Sequence, residues 1–564
     1  MSSKTLPSRW ELAPSHPELA ASIAERIQLS PHIAQCLLNR GFSKLSEIQD
    51  FIAPSPTLEL PAFDPKSFAA AEAIIRDCIA TNKTIFLFGD YDVDGMSSTS
   101  MMSIALSNLG AKVDFYIPQR LKEGYGLNTG ILKSWTEIPG CLITLDCGIS
   151  NQKEIADIKA ATNVPVIIFD HHRLPSNLPD ANVIINPKTL DDSHPASHLC
   201  TAGIVYLFLC TLIPEAKSQE LLDLAAMGTV ADLVPLQKWN RSIAKEGLLQ
   251  LGKRESLGIR SLMSVSKLSK PEISAMDIGF VLAPRLNAAG RLSDPKLGVE
   301  LLTATSFDDA ENLSFKLNDL NIKRRSLGES IFQQAKATVE KSPDLPIIAL
   351  SHTMWHPGII GITASQLVSE FQKPVVLISE TETVGRGSAR TIGGVSIFEL
   401  LSHCEEYFLN FGGHHDAAGF SIDLAKIPDF LARIGEVATE QIDRDTLYST
   451  HKIDAVISVK DIHLDFIDEL EILAPFGQGN PEPLFFCKDF TVLDARRIGA
   501  DGNHLKATLS SLDHEHCVDA IGFKMGDQVS DLMGKHCEII CHIRANEWQG
   551  RRMAQANIVE IKVA

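Results

Sequence analysis

The sequence predicts an α/β protein of several domains: a parallel-sheet domain, then a second, smaller α/β unit, then a small β-barrel or sandwich. Three observations support this fold class. From Thr84 onward, short apolar runs rich in β-branched residues alternate with helical stretches, a pattern typical of βαβ units. A second strand–helix pattern begins at LPIIALSH, and after about residue 450 short strands are separated only by turns.

The elements follow from local patterns in chain order. The first 80 residues are predicted to be short helices, one of them (SPHIAQCLLNRG) closed by Gly41, followed by a proline-punctuated linker, SPTLELPAFDP. The strands of the parallel sheet are TIFLF, VDFYI, CLITL, VPVIIF and NVIIN. A long amphipathic helix from about Asp308 to Lys341 connects the two α/β parts. The C-terminal strands are FTVLDARRIG, HLKATLS, HCEIICHI and NIVEIKV.

The composition is globular and the charge is strongly acidic. Of 564 residues 45% are apolar, which excludes a disordered or low-complexity chain. The 52 basic and 70 acidic side chains give a net charge of −18, which by itself argues against a nucleic-acid partner, because phosphate binding depends on clustered Lys and Arg. Net charge is a sum, however. Residues 241–340 carry 15 basic against 12 acidic side chains, so a local basic site stays possible.

No segment predicts secretion or a membrane anchor. The first thirty residues carry acids and prolines without an apolar core, and the run from Gly203 to Pro214 is shorter than the ~20 residues that span a bilayer. The 11 cysteines are scattered without a CxxC pair. We therefore expect a cytoplasmic protein with no membrane association.

A histidine- and cysteine-rich stretch from His514 to His542 has a zinc interpretation. In CEIICHI, Cys537 and Cys541 share one face of a predicted strand, but at ~3.3 Å per residue they lie roughly 13 Å apart, too far to chelate one ion. The spacing favours a strand over a zinc site.

The sharpest local motif is FLFGDYDVDGMSS, in which Asp90, Asp92 and Asp94 alternate between an apolar strand and a helix that begins at Gly95. Three carboxylates this close repel one another unless a cation lies among them, so a divalent metal is the simplest explanation. An EF-hand loop is the alternative. It fails because Met101 occupies the twelfth position and because a strand, not a helix, precedes the loop.

Further acidic and imidazole side chains follow other predicted elements. Asp146 ends CLITL, Asp170 ends VPVIIF and is followed by His171 and His172, and Asp232 follows an apolar helix. Strand ends of a parallel sheet meet at one edge, so these groups converge on one pocket. Oxygen-rich ligands with one or two imidazoles suit Mn²⁺ or Mg²⁺, and the number of ligands predicts two ions and hydrolysis of a phosphate ester.

Three other motifs could handle phosphate. RLNAAGR places Arg285 and Arg291 around small residues in the net-positive region, and GRGSAR places Ser388 and Arg390 in a glycine-rich loop. GGHHDAAG surrounds His414 with glycines, which permit close approach of the backbone to a phosphate. Taken singly, each motif is also compatible with a solvated helix face or a structural turn.

Nine motifs in order carry a resemblance that covers nearly the whole chain. They are LLNRGFSKLSEIQDFIAP, GDYDVDG, LDCGIS, FDHH, GTVADLVPL, LAPRLNAAGRL, SHTMWHPGIIGITAS, GGHHDAAGF and LAPFGQGNPEP. With them the chain resembles the DHH phosphoesterase superfamily, named for the triplet Asp170-His171-His172, and within it the bacterial single-strand-specific 5′→3′ exonucleases.

The resemblance implies a DHH domain, a long helix, a smaller DHH-associated domain and a C-terminal OB-fold. The implied activity is two-metal hydrolysis of phosphodiester bonds in single-stranded DNA, releasing 5′-mononucleotides, in recombination and repair. The implied Mn²⁺ or Mg²⁺ ligands are Asp90, Asp92, Asp94, Asp146, His171 and Asp232. The implied catalytic residues are Asp92, Asp94, Asp146, His171, His172 and Asp232, with Asp170 orienting a ligand. The implied substrate-binding residues are Arg285, Arg291, Ser388, Arg390 and His414.

We expect domains at 1–80, 81–240, 241–340, 341–450 and 451–564, with the C-terminal one binding DNA only through local residues such as Arg496, Arg497, Arg551 and Arg552. By resemblance, the partners are single-stranded DNA, a single-strand-binding protein and a helicase, and the protein is a monomer. Two alternatives stay open: a DHH-type phosphodiesterase of nano-RNA or cyclic dinucleotides, whose known members lack the C-terminal β-domain, and a catalytically silent scaffold, although every metal position is intact here.

Overall fold

The computed structural model describes residues 8–53, 64–124, 126–341, 345–443, 449–548 and 550–563. Within them the contacts define two compact units. The first holds residues 64–232 and 246–443, and the second holds residues 10–53, 233–245 and 450–563. The predicted linker SPTLELPAFDP falls almost wholly outside the described residues. No helix of the described ranges has the length and apolar character needed to cross a bilayer.

The N-terminal part contains the predicted short helices, preceded by a short strand that was not predicted. The elements are β1 (Ser8–Leu12), α1 (Pro17–Ile27), α2 (Pro31–Asn39), α3 (Leu45–Ile52) and α4 (Pro65–Ala80). Ser30 caps α2 by accepting a hydrogen bond from the N–H of Ile33 at 3.4 Å, and Pro31 occupies the first helical position, where its missing N–H costs nothing.

The α/β pattern from Thr84 forms a five-stranded sheet. Its elements are β2 (Thr84–Gly89), α5 (Val93–Asn108), β3 (Lys112–Tyr116), α6 (Arg120–Glu123), β4 (Cys141–Leu145), α7 (Gln152–Thr162), β5 (Val166–Phe169), β6 (Val183–Ile185), α8 (Thr201–Leu212), α9 (Glu215–Gln219) and α10 (Leu222–Ala231). The strand order is β3-β2-β4-β5-β6 and every pair is parallel, which confirms the predicted sheet. All five residues of β4 and all four of β5 are buried, as expected for inner strands covered on both faces. Helix α5 begins at Val93, two residues before the predicted Gly95.

Residues 238–339 are helical. They form α11 (Lys238–Lys253), α12 (Leu257–Val265), α13 (Ala275–Asp277), α14 (Ala283–Leu292), α15 (Lys296–Leu302) and α16 (Phe307–Val339), with a π-helical turn at Ile278–Leu282. The 33 residues of α16 confirm the predicted long helix, and at ~1.5 Å per residue it is about 50 Å long.

A second sheet follows α16 in the same unit. It is built from β7 (Ile348–His352), α17 (Ile360–Phe371), β8 (Val375–Glu380), β9 (Gly385–Arg390), α18 (Ile397–Ser402), β10 (Phe408–His414), β11 (Ala417–Ile422) and α19 (Ile427–Gln441). The order is β10-β11-β9-β8-β7, in which only β7 and β8 are parallel. This is the smaller α/β unit that the sequence predicts.

The second compact unit is a barrel with helices. Its C-terminal elements are β12 (Ser449–Ile453), β13 (Ala455–Ile457), α20 (Leu464–Glu471), β14 (Phe485–Ile498), β15 (His504–Ser511), β16 (Cys517–Gly522), α21 (Val529–Leu532), β17 (His536–Trp548) and β18 (Arg551–Val563). The order β14-β15-β16-β18-β17 closes through pairing of β14 with β17, which confirms the OB-fold barrel. Strands β12, β13 and β16 were not predicted from the sequence.

The N-terminal helices share the apolar core of this barrel. Ile33, Leu37 and Ile48 belong to the same buried cluster as Phe485 and Ile539. A buried cation ties the parts together, because Arg241 donates from Nε to the carbonyl of Phe51 at 2.9 Å and from Nη1 to the carbonyl of Leu473 at 3.0 Å. Helices at opposite ends of the sequence therefore form one folding unit.

In the first unit, α5, α8 and α10 meet at a glycine. A Cβ placed on Gly228 of α10 would lie 2.4 Å from the Cβ of Ala202 on α8 and 2.8 Å from Oδ1 of Asp94 on α5. Both distances are too short for carbon contacts, so a side chain at position 228 forces the three helices apart.

We therefore expect Gly228→Ala to lower the free energy of unfolding of the metal-free protein by about 1–3 kcal/mol, the usual cost of overpacking. Chemical denaturation measures this change. Gly435→Ala on α19 is the matched control, because its Cβ meets nothing within 4 Å and a helical Gly→Ala change gains roughly 0.5–1 kcal/mol. Equal effects at the two positions would contradict the packing explanation.

Candidate active site

Three carboxylates stand at one edge of the parallel sheet. Asp90 directly follows β2, Asp146 follows β4 and Asp170 follows β5, and these strands are neighbours. All three side chains are buried. Asp146 has φ +67°, in the left-handed region that non-glycine residues rarely adopt, which is typical of residues held in place by their surroundings at a functional site.

Two helices add further carboxylates to this edge. Asp92 caps α5 by accepting a hydrogen bond from the N–H of Gly95 at 3.1 Å, and Asp94 lies in the first turn of the same helix. Asp232 follows the last residue of α10. His171 and His172 follow Asp170 in the loop after β5.

The six predicted metal ligands and His172 come together. Their ligand atoms form three groups, each within 4.8 Å: Asp90, Asp92 and Asp146; Asp94, His171 and Asp232; and Asp146, His171 and His172. His171 is at the centre of the set, with Nε2 lying 3.3 Å from Oδ1 of Asp146, 3.6 Å from Oδ2 of Asp232 and 3.9 Å from Oδ2 of Asp94.

Asp170 holds the loop that carries the histidines. Its Oδ2 accepts the N–H of Ile149 at 3.0 Å, and its Oδ1 accepts the N–H of His172 at 3.0 Å and lies 2.7 Å from His172 Nδ1. The first member of the DHH triplet thus orients the third through the imidazole ring.

Asp94 is held by the start of another helix. Its two carboxylate oxygens accept the main-chain N–H groups of Thr201, at 2.8 Å, and Ala202, at 2.7 Å, which are the first residues of α8. The N-terminus of a helix carries a partial positive charge, so it favours a carboxylate there.

Crowding and burial disfavour the charged carboxylates in the absence of a cation. Burial, followed by the charge of Asp92, raises the pKa of Asp90 well above its usual range. Burial and Asp94 raise the pKa of Asp146 in the same way, and they raise that of Asp232 to about 8. A divalent cation among these groups would reverse this preference.

The two imidazoles behave differently. Burial lowers the pKa of His171 and keeps the ring neutral, which is the state that binds a metal. Burial also acts to lower the pKa of His172, but the hydrogen bond and charge of Asp170 outweigh it and raise the pKa to about 9.

The residues fit a hard divalent cation. Oδ1 of Asp90 and Nε2 of His171 are buried atoms without a hydrogen-bond partner, which is costly unless another group satisfies them. Five carboxylates and two imidazoles are the donor set of Mn²⁺ or Mg²⁺ and differ from the cysteine-rich set of a structural zinc site. Three overlapping groups offer more ligands than one ion needs.

A cluster of arginines lies next to these acids. The guanidinium of Arg120 lies over the ring of Tyr91 at 5.2 Å, and Nη1 of Arg291 donates to the carbonyl of Gly358 at 3.1 Å. Burial, with the charges of Arg120 and Arg324, lowers the pKa of Arg291 to about 10. Burial and Arg120 also lower the pKa of Arg390.

Among the described residues, Arg120, Arg291 and Arg390 have no carboxylate within salt-bridge distance. Cations that repel one another and lack acidic partners form a favourable environment for an anion.

Ser388 and Arg390 lie on β9, with Nη1 of Arg390 3.3 Å from Oγ of Ser388. Helix α17 approaches them closely, since a Cβ on Gly361 would lie 2.9 Å from that Oγ and 3.2 Å from Nη2 of Arg390. The sheet register places His414 opposite Ala417, which is opposite Arg390. The side chain of His414 is exposed and makes no hydrogen bond to another described residue.

Arg285 is farther along the helices. Its Nε donates to Asn318 of α16 at 3.1 Å, and burial together with Arg325 lowers its pKa. Burial, Arg325 and Arg285 likewise lower the pKa of Arg324, whose charge acts on Arg291. The basic groups therefore form a continuous series from Arg120 to Arg325.

In the barrel unit, two of the four predicted DNA-binding arginines are paired. Arg497 lies 3.1 Å from Asp527 and Arg552 lies 2.6 Å from Asp468. Arg496 and Arg551 are exposed and have no such partner among the described residues. Of these four arginines, Arg496 and Arg551 are therefore the two whose charge is not compensated by a described carboxylate.

Sequence reasoning missed Arg120, Tyr91, Arg324 and Thr201. Arg120 occupies a short helix after an edge strand and belongs to no motif. Tyr91 lay within the acidic motif but carries no carboxylate. Thr201 gave one usable signal, because the small residues Thr-Ala-Gly open an apolar helix, a place where main-chain N–H groups face a neighbouring anion.

Comparison with protein families defines the class. The model described as "DHH family, N-terminal domain" matches residues 84–229, the DHHA1 domain matches residues 344–440, and the RecJ OB domain matches residues 453–560. This combination is that of a DHH-family protein with a RecJ-type OB domain.

The relatives narrow the class further. The chain is 35% identical over 561 residues to a single-stranded-DNA-specific exonuclease RecJ of Bacillus subtilis, covering 99% of this chain and 71% of that one. It is 30% identical to the Escherichia coli RecJ, covering 95% and 96% of the two chains. The crystal structure of RecJ with Mn²⁺ from Thermus thermophilus superposes with a TM-score of 0.82 at 28% identity, covering 99% of this chain and 80% of that one. The chain belongs to the RecJ family.

The raised carboxylate pKa values predict how stability depends on pH. A folded state that binds more protons than the unfolded state loses stability as pH rises, and for Asp232 this occurs between its unfolded value near 4 and about 8. We expect the melting temperature of the metal-free protein to fall from about pH 5 to about pH 8, and Mn²⁺ to raise it most at the higher pH.

Asp146→Asn should flatten this pH dependence, because it removes one of the repelling charges, and should reduce the gain from Mn²⁺. Thermal unfolding with chelator and with Mn²⁺ measures both effects. A metal-free variant that melts below the wild type at the upper pH would contradict this account of the repulsion.

Proposed function

We propose that the chain is a Mn²⁺- or Mg²⁺-dependent, single-stranded-DNA-specific exonuclease that degrades strands from the 5′ end and releases 5′-mononucleotides. The observation that carries the proposal is the adjacency of two opposite groups. The six proposed metal ligands and His172 lie beside Arg120, Arg291 and Arg390, which have no acidic partner among the described residues. Family membership supports an exonuclease specific for single-stranded DNA, because the relatives are named for that activity.

The metal ligands would be Asp90, Asp92, Asp94, Asp146, His171 and Asp232, with two ions shared among them. When bound, Mn²⁺ or Mg²⁺ would neutralise charge on the scissile phosphate and lower the pKa of the attacking water. The protein supplies the rigid frame. Asp170 orients His172, α8 holds Asp94, and the sheet edge fixes Asp90 and Asp146.

His172 carries a proton near neutral pH in the metal-free site, because Asp170 stabilises the imidazolium. We propose that this ring holds or delivers a proton beside the scissile bond. His171, kept neutral by burial, would serve as a ligand instead.

The arginines would hold the strand. Arg390 and Ser388 on β9 would bind the terminal 5′-phosphate. Arg120 and Arg291 would attract the same phosphate through their positive charges. Arg324, Arg325 and Arg285 would continue the contact along the backbone, and His414 would contribute from the neighbouring strand. The bond between Arg291 and Gly358 connects the two α/β parts next to the proposed phosphate site. The space between these parts would be too narrow for duplex DNA.

Asp146→Ala should abolish cleavage of single-stranded DNA in Mg²⁺ or Mn²⁺ without unfolding the protein, because Asp146 belongs to two of the three ligand groups. A gel assay on 5′- and 3′-labelled single- and double-stranded DNA measures this and also tests direction and strand specificity. Asp223→Asn is the control, because Asp223 is a buried carboxyl outside the ligand groups. Retained activity in Asp146→Ala would refute the metal assignment.

The same gel assay distinguishes the proposed exonuclease from the main alternative function. Degradation confined to di- and trinucleotides, with long strands untouched, would indicate a phosphodiesterase of short substrates. Progressive shortening of a long strand supports the exonuclease.

Arg390→Gln should lower kcat/KM for 5′-phosphorylated single strands by about 10- to 100-fold, the usual range for loss of one charge-assisted hydrogen bond. The loss should be smaller on a strand that ends in a 5′-hydroxyl. Arg433→Gln serves as the control, because Arg433 lies on α19 and pairs with Glu436 at 3.0 Å. An equal loss on both strands would show that Arg390 does not bind the terminal phosphate.

We also propose that the protein works as a cytoplasmic monomer in recombination and repair, with a single-strand-binding protein and a helicase as partners. The domain limits 1–80, 81–240, 241–340, 341–450 and 451–564 stay predictions. Limited proteolysis and size-exclusion chromatography test the limits and the monomer.

A further inference from the structure

Thr201 contacts two carboxylates of the metal centre at once. Its main-chain N–H donates to Oδ2 of Asp94 at 2.8 Å, and its hydroxyl Oγ1 donates to Oδ1 of Asp146 at 3.0 Å. The residue is fully buried, so no water competes for either bond.

The two bonds connect elements that are far apart in the sequence. Asp94 lies in the first turn of α5, Asp146 follows β4, and Thr201 begins α8. Cys200, which precedes α8, makes no side-chain hydrogen bond to the first N–H groups of this helix, which have no partner within the helix. The carboxylate of Asp94 takes the place of that cap.

The contact with Asp146 depends on the hydroxyl of Thr201 and not on a main-chain N–H group. A main-chain N–H is present whatever residue occupies position 201, whereas only a hydroxyl side chain there reaches Asp146. Asp146 sits in the left-handed backbone region, where its direction is not supported by regular strand geometry. A hydrogen bond to one oxygen removes a rotational freedom that the carboxylate would otherwise have.

We propose that Thr201 is a positioning residue of the metal centre, which fixes the separation of Asp94 and Asp146 through its N–H and its hydroxyl. The inference rests on the proposed function, because it takes these two carboxylates to be metal ligands. Mg²⁺ requires near-ideal octahedral geometry. Loss of the hydroxyl should therefore weaken Mg²⁺ binding more than Mn²⁺ binding.

The test measures metal binding in the absence of DNA. Titration of the metal-free full-length protein with Mn²⁺, followed by the electron paramagnetic resonance signal of the free ion, gives the Mn²⁺ affinity, and competition with Mg²⁺ gives the Mg²⁺ affinity. Thr201→Ala and Thr201→Val both remove the hydroxyl and keep the N–H. We expect each to weaken Mn²⁺ binding about 10-fold or more and Mg²⁺ binding further. Thr201→Ser should bind within about twofold of the wild type.

Thr363→Val is the matched control, because this buried threonine lies on α17 and its hydroxyl faces the carbonyl of Ile359, the residue just before the helix, at 3.5 Å. Its Mn²⁺ affinity should equal that of the wild type. Circular dichroism confirms folding, and the alanine variant remains informative if the valine variant does not fold.

Wild-type affinity in Thr201→Ala would overturn the inference, and so would a Thr201→Ser variant as weak as Thr201→Ala, since the hydroxyl would then be irrelevant. A wild-type protein that binds no Mn²⁺ would instead refute the metal centre itself. A wild type that binds Mn²⁺ but leaves single-stranded DNA intact would refute only the proposed function.

Discussion

Mutual repulsion among buried carboxylates is the constraint on which the active site depends. Asp90, Asp94 and Asp146 are almost completely buried, and their neighbours at this edge of the sheet are also acidic. Such an arrangement is unfavourable for an isolated protein and favourable once divalent cations enter it. In the metal-free protein, the N–H groups of α8 and the imidazole next to Asp170 reduce the electrostatic cost of burying these carboxylates.

The arginines present the opposite imbalance at short range. Arg120, Arg291 and Arg390 lie close together without acidic partners in the described part of the chain, so an anion would neutralise them as cations would neutralise the acids. A phosphate bound next to the arginines would neutralise them, and the metal ions bound with it would neutralise the carboxylates. The net charge of −18, which first argued against DNA, therefore includes a local excess that metal ions would balance, and it leaves the remaining surface repulsive to nucleic acid.

The sequence predicted those features that depend on local pattern. The five strands of the parallel sheet, the long helix α16 and the meeting of Asp90, Asp146 and Asp170 all follow from short-range periodicity and from the rule that parallel strands end at one edge. The features it missed depend on contacts between distant segments. Arg120 belongs to no motif, and Thr201 contacts two carboxylates from distant segments, of which the small residues at the start of its helix give the one local signal.

Long-range packing also explains the N-terminal helices. Their amphipathic pattern predicts that they bury an apolar face, but not against what. In the structure Ile33, Leu37 and Ile48 share a core with the barrel strands at the other end of the chain, and Arg241 bridges them through backbone carbonyls. Strand β16 escaped notice because its alternation is short and lies among turns.

The order of the groups along the chain bears on how the protein is made. Every acidic or imidazole ligand lies between residues 90 and 232, whereas Arg285, Arg291 and Arg390 come later. A ribosome therefore completes the acidic groups when Arg120 is already present but Arg285, Arg291 and Arg390 are not. During that interval, divalent cations can compensate most of the charge of the acidic cluster, so metal loading can precede the completion of the arginine cluster. A partly synthesised chain then has all the proposed metal ligands and Arg120, but not yet Arg285, Arg291 and Arg390.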